Sequence, residues 1–578
     1  MSGRTQAIGA GIVMSTNERI EGPAAVRDDR PPDRGPLDIV ATWPGGDSPW
    51  SERCLSRAVW AFVVLGVILR VVRYLLNFPL WGDEAFVATN FIARGYRDLL
   101  GPLDYGQICP VLFLWIELTA VKLLGYSEWS LRLFPIACGA ASLFLFRHVA
   151  GRVVRGVPLL LAVGIFAVSF HPIRHSAEVK PYASDLLVAL VLLAPALEWW
   201  RSSSRAGWLW VLVAVVPVAL ALSHPAVFVA GGIVLGLAVP AWRTGRPGVR
   251  IPFALYCLSL GATFLLLFLA ITCEEGRGVM GALRDYWADS FPPLDDLRKL
   301  LRWLVVIHTG TMFAYPGGGQ DGLSTPTFVC FAAAAFVLWR HGRRAVVIAL
   351  LGPFALALLA AAVRRYPYGG EARQMQFVAP AICILAGLGS ASLLRVFPRP
   401  NVQVRVAIAG VLCLTLGGLA SMAQDVAHPY RYESDHQRRE FARRFWPAQA
   451  KEAEVACLRR DFGIVDPGFP NYRAALYLCN QQIYCPRRRR AGGPCWGAIS
   501  PARPLRCVLH PEIRPDYPGV VAWMARMSSR YDLRKIEGID IDLSRAKFGP
   551  KVERLLIFEY VPKPSGLAAT PATPMVRR

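Results

Sequence analysis

Charge is scarce in this chain, and acidic charge most of all. Of 578 residues only 18% are Asp, Glu, Lys or Arg, with 41 acidic against 64 basic side chains and a formal net charge of +23. Soluble proteins of this size carry more charge and interrupt their apolar runs every few residues. Here 54% of residues are hydrophobic and the mean hydropathy is +0.35. Apolar runs recur from about Ala58 to Met422. They lack the alternation of polar and apolar residues that outer-membrane strands require, which excludes a β-barrel. Many approach the ~20 residues needed to cross a ~30 Å hydrocarbon core, and lipid offers backbone groups no partner, so these runs are expected to be helices. The first fifty residues also lack the apolar stretch of a cleavable secretory signal. They are rich in Pro, Gly, Arg and Asp and read, to residue 57, as a disordered cytoplasmic tail, the first apolar run serving as an uncleaved insertion signal. Lysine is sparse beside arginine. A basic balance often signals nucleic acid, but cytoplasmic loops collect basic residues for reasons of topology, and basic faces attract anionic headgroups. The expected partner is the lipid bilayer, with no nucleic acid.

What is present is ordered along the chain. Basic clusters at Arg147 to Arg155, Arg201 to Arg205, Arg243 to Arg250, Arg340 to Arg344 and Arg395 to Arg405 each lie between two apolar runs. Placing all five in the cytoplasm gives eleven crossings, at 58–76, 130–147, 157–172, 182–200, 208–222, 225–241, 251–271, 326–339, 344–363, 375–394 and 404–422. An odd number leaves the N-terminus inside and the C-terminus outside. Two shorter runs, 110–124 and 300–315, carry Glu117, Lys122 and Arg302 and fit helices at the outer surface. Counting both as crossings gives thirteen with the same final orientation. The expected domains are a membrane unit over 58–424, a soluble extracytoplasmic α/β unit over 425–562 and a disordered tail over 563–578.

In the soluble unit, 455–458, 506–509 and 555–560 read as strands, and 472–482 and 517–530 as helices. Its five cysteines, Cys457, Cys479, Cys485, Cys495 and Cys507, can form two disulfides in an oxidising compartment, or stand as separate buried thiols. Their spacing is not that of a zinc site.

Three outward segments concentrate the chemistry. The first is WGDEAFVATN, with Asp83 and Glu84 directly after the first span. Adjacent carboxylates at a membrane surface suit a general base and its neighbour, or a divalent cation; the alternative is acidic residues favouring a helix N-terminus. The second is HPIRHSAEVKPYASD, which gathers Arg174, His175, Glu178, Lys180, Tyr182 and Asp185. Pro181 starts the next helix, and a helix N-terminus beside Lys180 is a phosphate site; interfacial anchoring by Lys and Tyr is the alternative. The third, RRYPYGGEARQMQ, holds Tyr368 and Arg373, with Arg364 and Arg365 on the side that orientation disfavours. Arginines kept there suit an anionic ligand, with snorkelling as the alternative.

The DE pair after the first span, the long outer loop, GYSEWSLRLFPIACGAASLFLFRHVAG and then EVKPYASD together resemble the GT-C membrane glycosyltransferases, in the branch of the protein O-mannosyltransferases and the lipid A aminoarabinose transferase (glycosyltransferase family 39). The resemblance covers about Ala58 to Asp185 well and YPYGGEARQ moderately; elsewhere it is architectural. It implies an all-α polytopic domain of 11–13 transmembrane helices with a small α/β extracytoplasmic domain, expected in a bacterial inner membrane. It also implies an enzyme that moves a hexosyl or pentosyl unit from a polyprenyl-phosphate carrier, with inversion, to a glycan, lipid or protein acceptor. By position Asp83 would be the base, Glu84 its orienting neighbour, and Lys180 and Arg373 the cations on the lipid phosphate. Arg174, Glu178, Tyr182, Asp185, Tyr368 and Gln107 would complete the substrate site. The resemblance fixes no cofactor, and a divalent cation at Asp83 and Glu84 is left open. The loop PLDYGQICP lacks the proline pair common in relatives, which leaves Gln107 and the 110–124 helix without an inherited role. The rival functions are a transporter and a lipid-carrier flippase or binding protein. Transporters place ionisable groups near the midplane in repeated, broken helices, a pattern absent here.

Overall fold

The computed structural model describes residues 50–202, 206–272, 280–452, 454–457, 472–485, 504–509 and, with short gaps, 511–563. The expected tails lie almost wholly outside these residues.

Each apolar run folds as a helix for the reason that defines it: no polar side chain competes for the backbone, so intrahelical hydrogen bonds satisfy it. In chain order they are α1 (Glu52–Leu75), α5 (Leu133–Val153), α6 (Val157–Val168), α8 (Tyr182–Arg201), α9 (Gly207–Leu222), α10 (Ala226–Arg243), α11 (Pro247–Leu267), α14 (Thr325–Arg340), α15 (Arg344–Ala362), α16 (Ala379–Leu393) and α17 (Pro400–Ala427). Eight of these are long and apolar enough to cross a membrane, α16 within a longer segment Ala372–Val396; α6, α9 and α14 are shorter apolar helices. The chain is an integral membrane protein. Close helix approach is bought by missing side chains: a Cβ on Gly232 of α10 would lie 2.5 Å from Pro353 of α15, and one on Gly387 of α16 would lie 2.5 Å from the Ala162 backbone of α6.

Between the spans lie short helices: α2 (Gly82–Ala88), α3 (Val111–Leu124), α4 (Glu128–Leu131), α7 (Phe170–His175), α12 (Met280–Tyr286) and α13 (Leu297–Thr309). At 14 and 13 residues, α3 and α13 reach only about 20 Å of the ~30 Å core, and unlike the short α6 they carry charged side chains, Glu117 and Lys122 in α3 and Arg298, Lys299 and Arg302 in α13. In α13, Leu297, Leu301 and Val305 are exposed on one face, while Trp303 and His308 turn inward to the Asp289 backbone and the Tyr368 hydroxyl. That is the pattern of an interfacial helix.

The soluble part comprises α18 (Glu433–Glu452), α19 (Tyr472–Tyr484), α20 (Pro518–Ser528) and the strands β1 (Glu454–Cys457), β2 (Leu505–Leu509), β3 (Tyr531–Asp542) and β4 (Val552–Pro562). The sheet order is β1-β2-β4-β3, parallel at β1/β2 and antiparallel elsewhere, with Cys507 opposite Phe558.

Several expectations shift. Ser51 caps α1 by accepting from the Cys54 backbone, so the helix begins at Glu52 inside the expected tail. At its other end α17 continues to Ala427, beyond the expected boundary. Strand β3 and helix α18 were not anticipated. Cys479 and Cys507 are buried free thiols rather than disulfide halves; Cys479 packs on Tyr126 and the Ala85 carbonyl, and burial pushes its thiol up to about 12. Cys495 lies outside the described residues.

Candidate active site

The DE pair sits on the first turn of α2, entered from extended Trp81. Adjacent positions on a helix point about 100° apart, so the two carboxylates face different surroundings. Glu84 is 1% exposed and turned into the protein. Its Oε1 accepts from Arg132 Nε at 2.9 Å and the Val179 amide at 2.9 Å; its Oε2 accepts from Arg132 Nη2 at 2.7 Å and the Trp81 amide at 3.3 Å. A carboxylate has about four lone-pair positions, and all are occupied, leaving none for a cation. Arg132 is fixed in turn by the Phe78 carbonyl at 2.6 Å. Among the described residues no group of three or more His, Cys, Asp and Glu side chains is placed to hold a metal.

Asp83 looks the other way. It is 25% exposed and ion-paired to Arg373, which also pairs with Glu371. Arg373 is 6% exposed and lies beneath two aromatic rings, 5.3 Å from the centroid of Trp287 and 5.7 Å from that of Trp81. Tyr182, at the start of α8, lies within electrostatic range of both Asp83 and Arg373. Lys180 is 6% exposed and donates to Gln107 Oε1 at 2.7 Å. Pro181 occupies the cap position of α8, which fixes the backbone between Lys180 and Tyr182.

Around this centre runs a charged network. Glu178 accepts from Arg174 Nε at 2.9 Å and from His175 Nδ1 at 2.7 Å, with Arg431 3.9 Å away. Burial alone would lift the Glu178 carboxyl, but His175, Arg174 and Arg431 hold it well below the usual carboxylate range. Burial lowers the pKa of His175. Facing an ionised carboxylate, His175 Nδ1 is the donor in that bond. Burial lowers His171, stacked 6.0 Å from His175, to about 3.

The geometry thus brings Asp83, Arg373, Lys180, Gln107 and Tyr182 together, with Arg174 and Glu178 alongside. Asp185 lies one turn deeper on α8. Tyr368 does not join them: its hydroxyl meets His308 at 3.0 Å, under α13. Three participants escaped the sequence reading. Arg132 lay unremarked inside SEWSLRL. Trp81 precedes the DE pair. Arg431, beyond the last span, carries its guanidinium carbon 3.3 Å from the Trp81 ring centroid; nothing local marks it, because its partner is 350 residues distant in the chain.

No family model and no curated protein matches the chain. Among solved structures it is similar to ArnT from Cupriavidus metallidurans bound to undecaprenyl phosphate, at 13% identity over 86% of this chain and 97% of that one, with a TM-score of 0.47. The apo state of the same protein gives 13%, 87% and 98%, with a TM-score of 0.48. The oligosaccharyltransferase AglB from Archaeoglobus fulgidus, in complex with an inhibitory peptide and a dolichol-phosphate, gives 11%, 74% and 64%, with a TM-score of 0.43.

Proposed function

We propose that this protein is a membrane glycosyltransferase that moves a sugar from a polyprenyl-phosphate carrier to an acceptor hydroxyl on the extracytoplasmic face. The observation that carries this reading is the division of labour at the DE pair: one carboxylate is buried and saturated, its neighbour is partly exposed and paired to Arg373, with Arg431 over the adjoining Trp81 ring.

In this reading Asp83 takes the acceptor proton as the acceptor oxygen attacks the anomeric carbon. The bond from that carbon to the phosphate oxygen breaks, and the leaving polyprenyl phosphate gains a negative charge. Preorganised cations are most valuable where charge develops, and Lys180 and Arg373 are nearly buried, so water screens them little. Arg373 pairs with Asp83 when no phosphate competes; a bound phosphate draws the guanidinium toward itself and frees Asp83 Oδ2. Glu84 holds α2 in place through Arg132 and the Val179 amide.

The test is Asp83→Asn in purified protein with a radiolabelled polyprenyl-phosphate sugar. General-base help is worth about 10²–10⁴-fold, so turnover should fall at least about a hundredfold while donor binding stays near wild type. Transfer at near wild-type rate would remove Asp83 from catalysis. Wild-type protein that translocated the lipid without transferring sugar would favour the flippase reading.

A further inference from the structure

One turn inward from the phosphate-facing residues lies a second set of polar side chains that the proposed chemistry does not use. On α8, Asp185 follows Tyr182 by one turn, and it is 5% exposed with Oδ1 unpartnered. On the segment leading into α16, Gln376 follows Arg373 by one turn, and it is 1% exposed with both amide atoms unpartnered. Ser223, fully buried between α9 and α10, lies within reach of the Asp185 carboxyl, yet its hydroxyl makes no well-formed hydrogen bond. Beside it the half-buried His224 has an Nε2 shielded from solvent and also unpartnered, while the ring contacts the Cys109 backbone, two residues beyond Gln107. Glu117 of α3 is fully buried with neither oxygen partnered, and it and Asp185 both lie close to the Cys138 thiol.

Three separate elements therefore repeat one arrangement: Tyr182 then Asp185, Arg373 then Gln376, Gln107 then the backbone that touches His224. Each carries one residue to the phosphate centre and the next to this inner group. Buried polar groups are normally hydrogen-bonded, and orphaned atoms on elements packed against one another, α8 against the segment Ala372–Val378, are tolerated where a polar guest completes them. The group is rich in acceptors and poor in cations. Among the described residues neither Asp185 nor Glu117 makes an ion pair. Such a lining favours a guest that donates hydrogen bonds from several directions and repels a carboxylate or sulfate.

Resting on the glycosyltransferase reading, we infer that Asp185, Ser223, His224 and Gln376, backed by Glu117, form the pocket for the donor's sugar ring, and that this ring is a polyol without an acidic substituent. The phosphate is then gripped by Lys180 and Arg373, and the ring reaches inward past them. A site that hydrogen-bonds hydroxyls also rejects a guest lacking them, because its own polar groups would be left unpaired.

The experiment measures binding to the full chain in nanodiscs, using farnesyl phosphate alone and farnesyl phosphates carrying glucose, mannose, galactose, arabinose or glucuronate. Wild-type protein should bind at least one neutral-sugar form about tenfold or more tighter than bare farnesyl phosphate, and the glucuronate form no better than the bare one. Asp185→Asn and Gln376→Leu should erase most of that gain while leaving bare farnesyl phosphate within about twofold. Ser223→Ala, the mildest change, should lower it in the same selective way and serves if a bulkier variant fails to fold. Variants that keep the wild-type preference for the sugar-linked form would overturn the pocket, as they would if it housed only water. So would glucuronate binding as well as the neutral sugars. Wild-type protein that bound no farnesyl phosphate at all would instead sink the glycosyltransferase reading beneath it.

Discussion

Asp83 and Glu84 are neighbours in sequence and opposites in environment, and the same conservative change should separate them. Removing one partner of a buried pair leaves the other charge stranded, at a cost of about 3–5 kcal/mol. Glu84→Gln takes the charge from beside Arg132, which keeps only its carbonyl partners. The expected outcome is a lowered thermal midpoint with loss of active protein, whereas Asp83→Asn, at a quarter-exposed side chain whose partner Arg373 keeps Glu371, should lower the midpoint less and lose turnover. Equal midpoints for the two variants would contradict the division. The cations invite a graded test. Neutralising Lys180 or Arg373 should weaken binding of a polyprenyl-phosphate analogue by about 1.5–3 kcal/mol, the range for charge-assisted hydrogen bonds. Arg431 is 24% exposed and partly screened, so Arg431→Ala should cost about 1 kcal/mol or less. Analogue affinity unchanged in all three would dissolve the phosphate site. The sequence exposed Asp83, Lys180 and Arg373 because each stands at the edge of an apolar run, where a charge is conspicuous. It hid Arg132, His224 and Arg431, whose significance lies in what the fold brings against them.

At the scale of elements, α2, the helix that carries Asp83, is supported from behind by the soluble part. Helix α19 places Cys479 Sγ 3.7 Å from the Ala85 carbonyl and 3.2 Å from the Tyr126 hydroxyl, which itself donates to the Ala88 carbonyl at 3.1 Å. Tyr484 at the end of α19 donates to Glu128. Overpacking such a contact costs about 1–3 kcal/mol, and a displacement of about 1 Å at a reacting group can cost about a hundredfold in rate. Cys479→Leu should therefore lower turnover well beyond its effect on the thermal midpoint, although it touches no substrate; unchanged turnover would mean that α2 stands alone. A second element, α18, is pinned by Arg438 to Asp435 at 2.8 Å and to Glu553 at 2.8 Å. Burial outweighs the pull of Arg438 and pushes the Asp435 carboxyl up to about 7. An unfolded Asp titrates near about 3.9, so the folded state holds the extra proton between about pH 4 and 7 and stability falls as pH rises through that window. Asp435→Asn, neutral throughout, should raise the thermal midpoint relative to wild type at pH 8 and lose most of that advantage at pH 5. An advantage independent of pH would assign it to packing. The apolar helices were legible because hydropathy is written locally. Strand β3 was not: most of its twelve residues are exposed, so no alternation marks it, and its pairing with β4 alone makes it a strand.

For the whole molecule, if the three shorter apolar helices α6, α9 and α14 cross along with the eight long ones, the eleven impose an alternation of ends. The connections α5 to α6, α8 to α9, α10 to α11, α14 to α15 and α16 to α17 then share one end, and these hold the five arginine clusters. Asp83, Lys180, His224 and Arg373 fall at the other end, with α18 to α20 and the sheet. Basic loops resist translocation, so the arginine end should be cytoplasmic, and the active site and soluble part extracytoplasmic. The short helices fit the same frame: unlike the equally short but uncharged α6, α3 carries Glu117 and Lys122 and α13 carries Arg298, Lys299 and Arg302, and the exposed leucines of α13 place it at the outer surface beside the loop that carries Arg373. Arg364 and Arg365 form an adjacent basic pair on the translocated side within nine residues of Arg373; one pair set against five clusters does not invert the chain. Reporter fusions read the outcome directly. Alkaline phosphatase, active only outside the cytoplasm, should be silent when joined at Pro398 and active when joined after Tyr560. The reverse pattern would turn the protein over, and would put Asp83 on the cytoplasmic face with donors of a different kind.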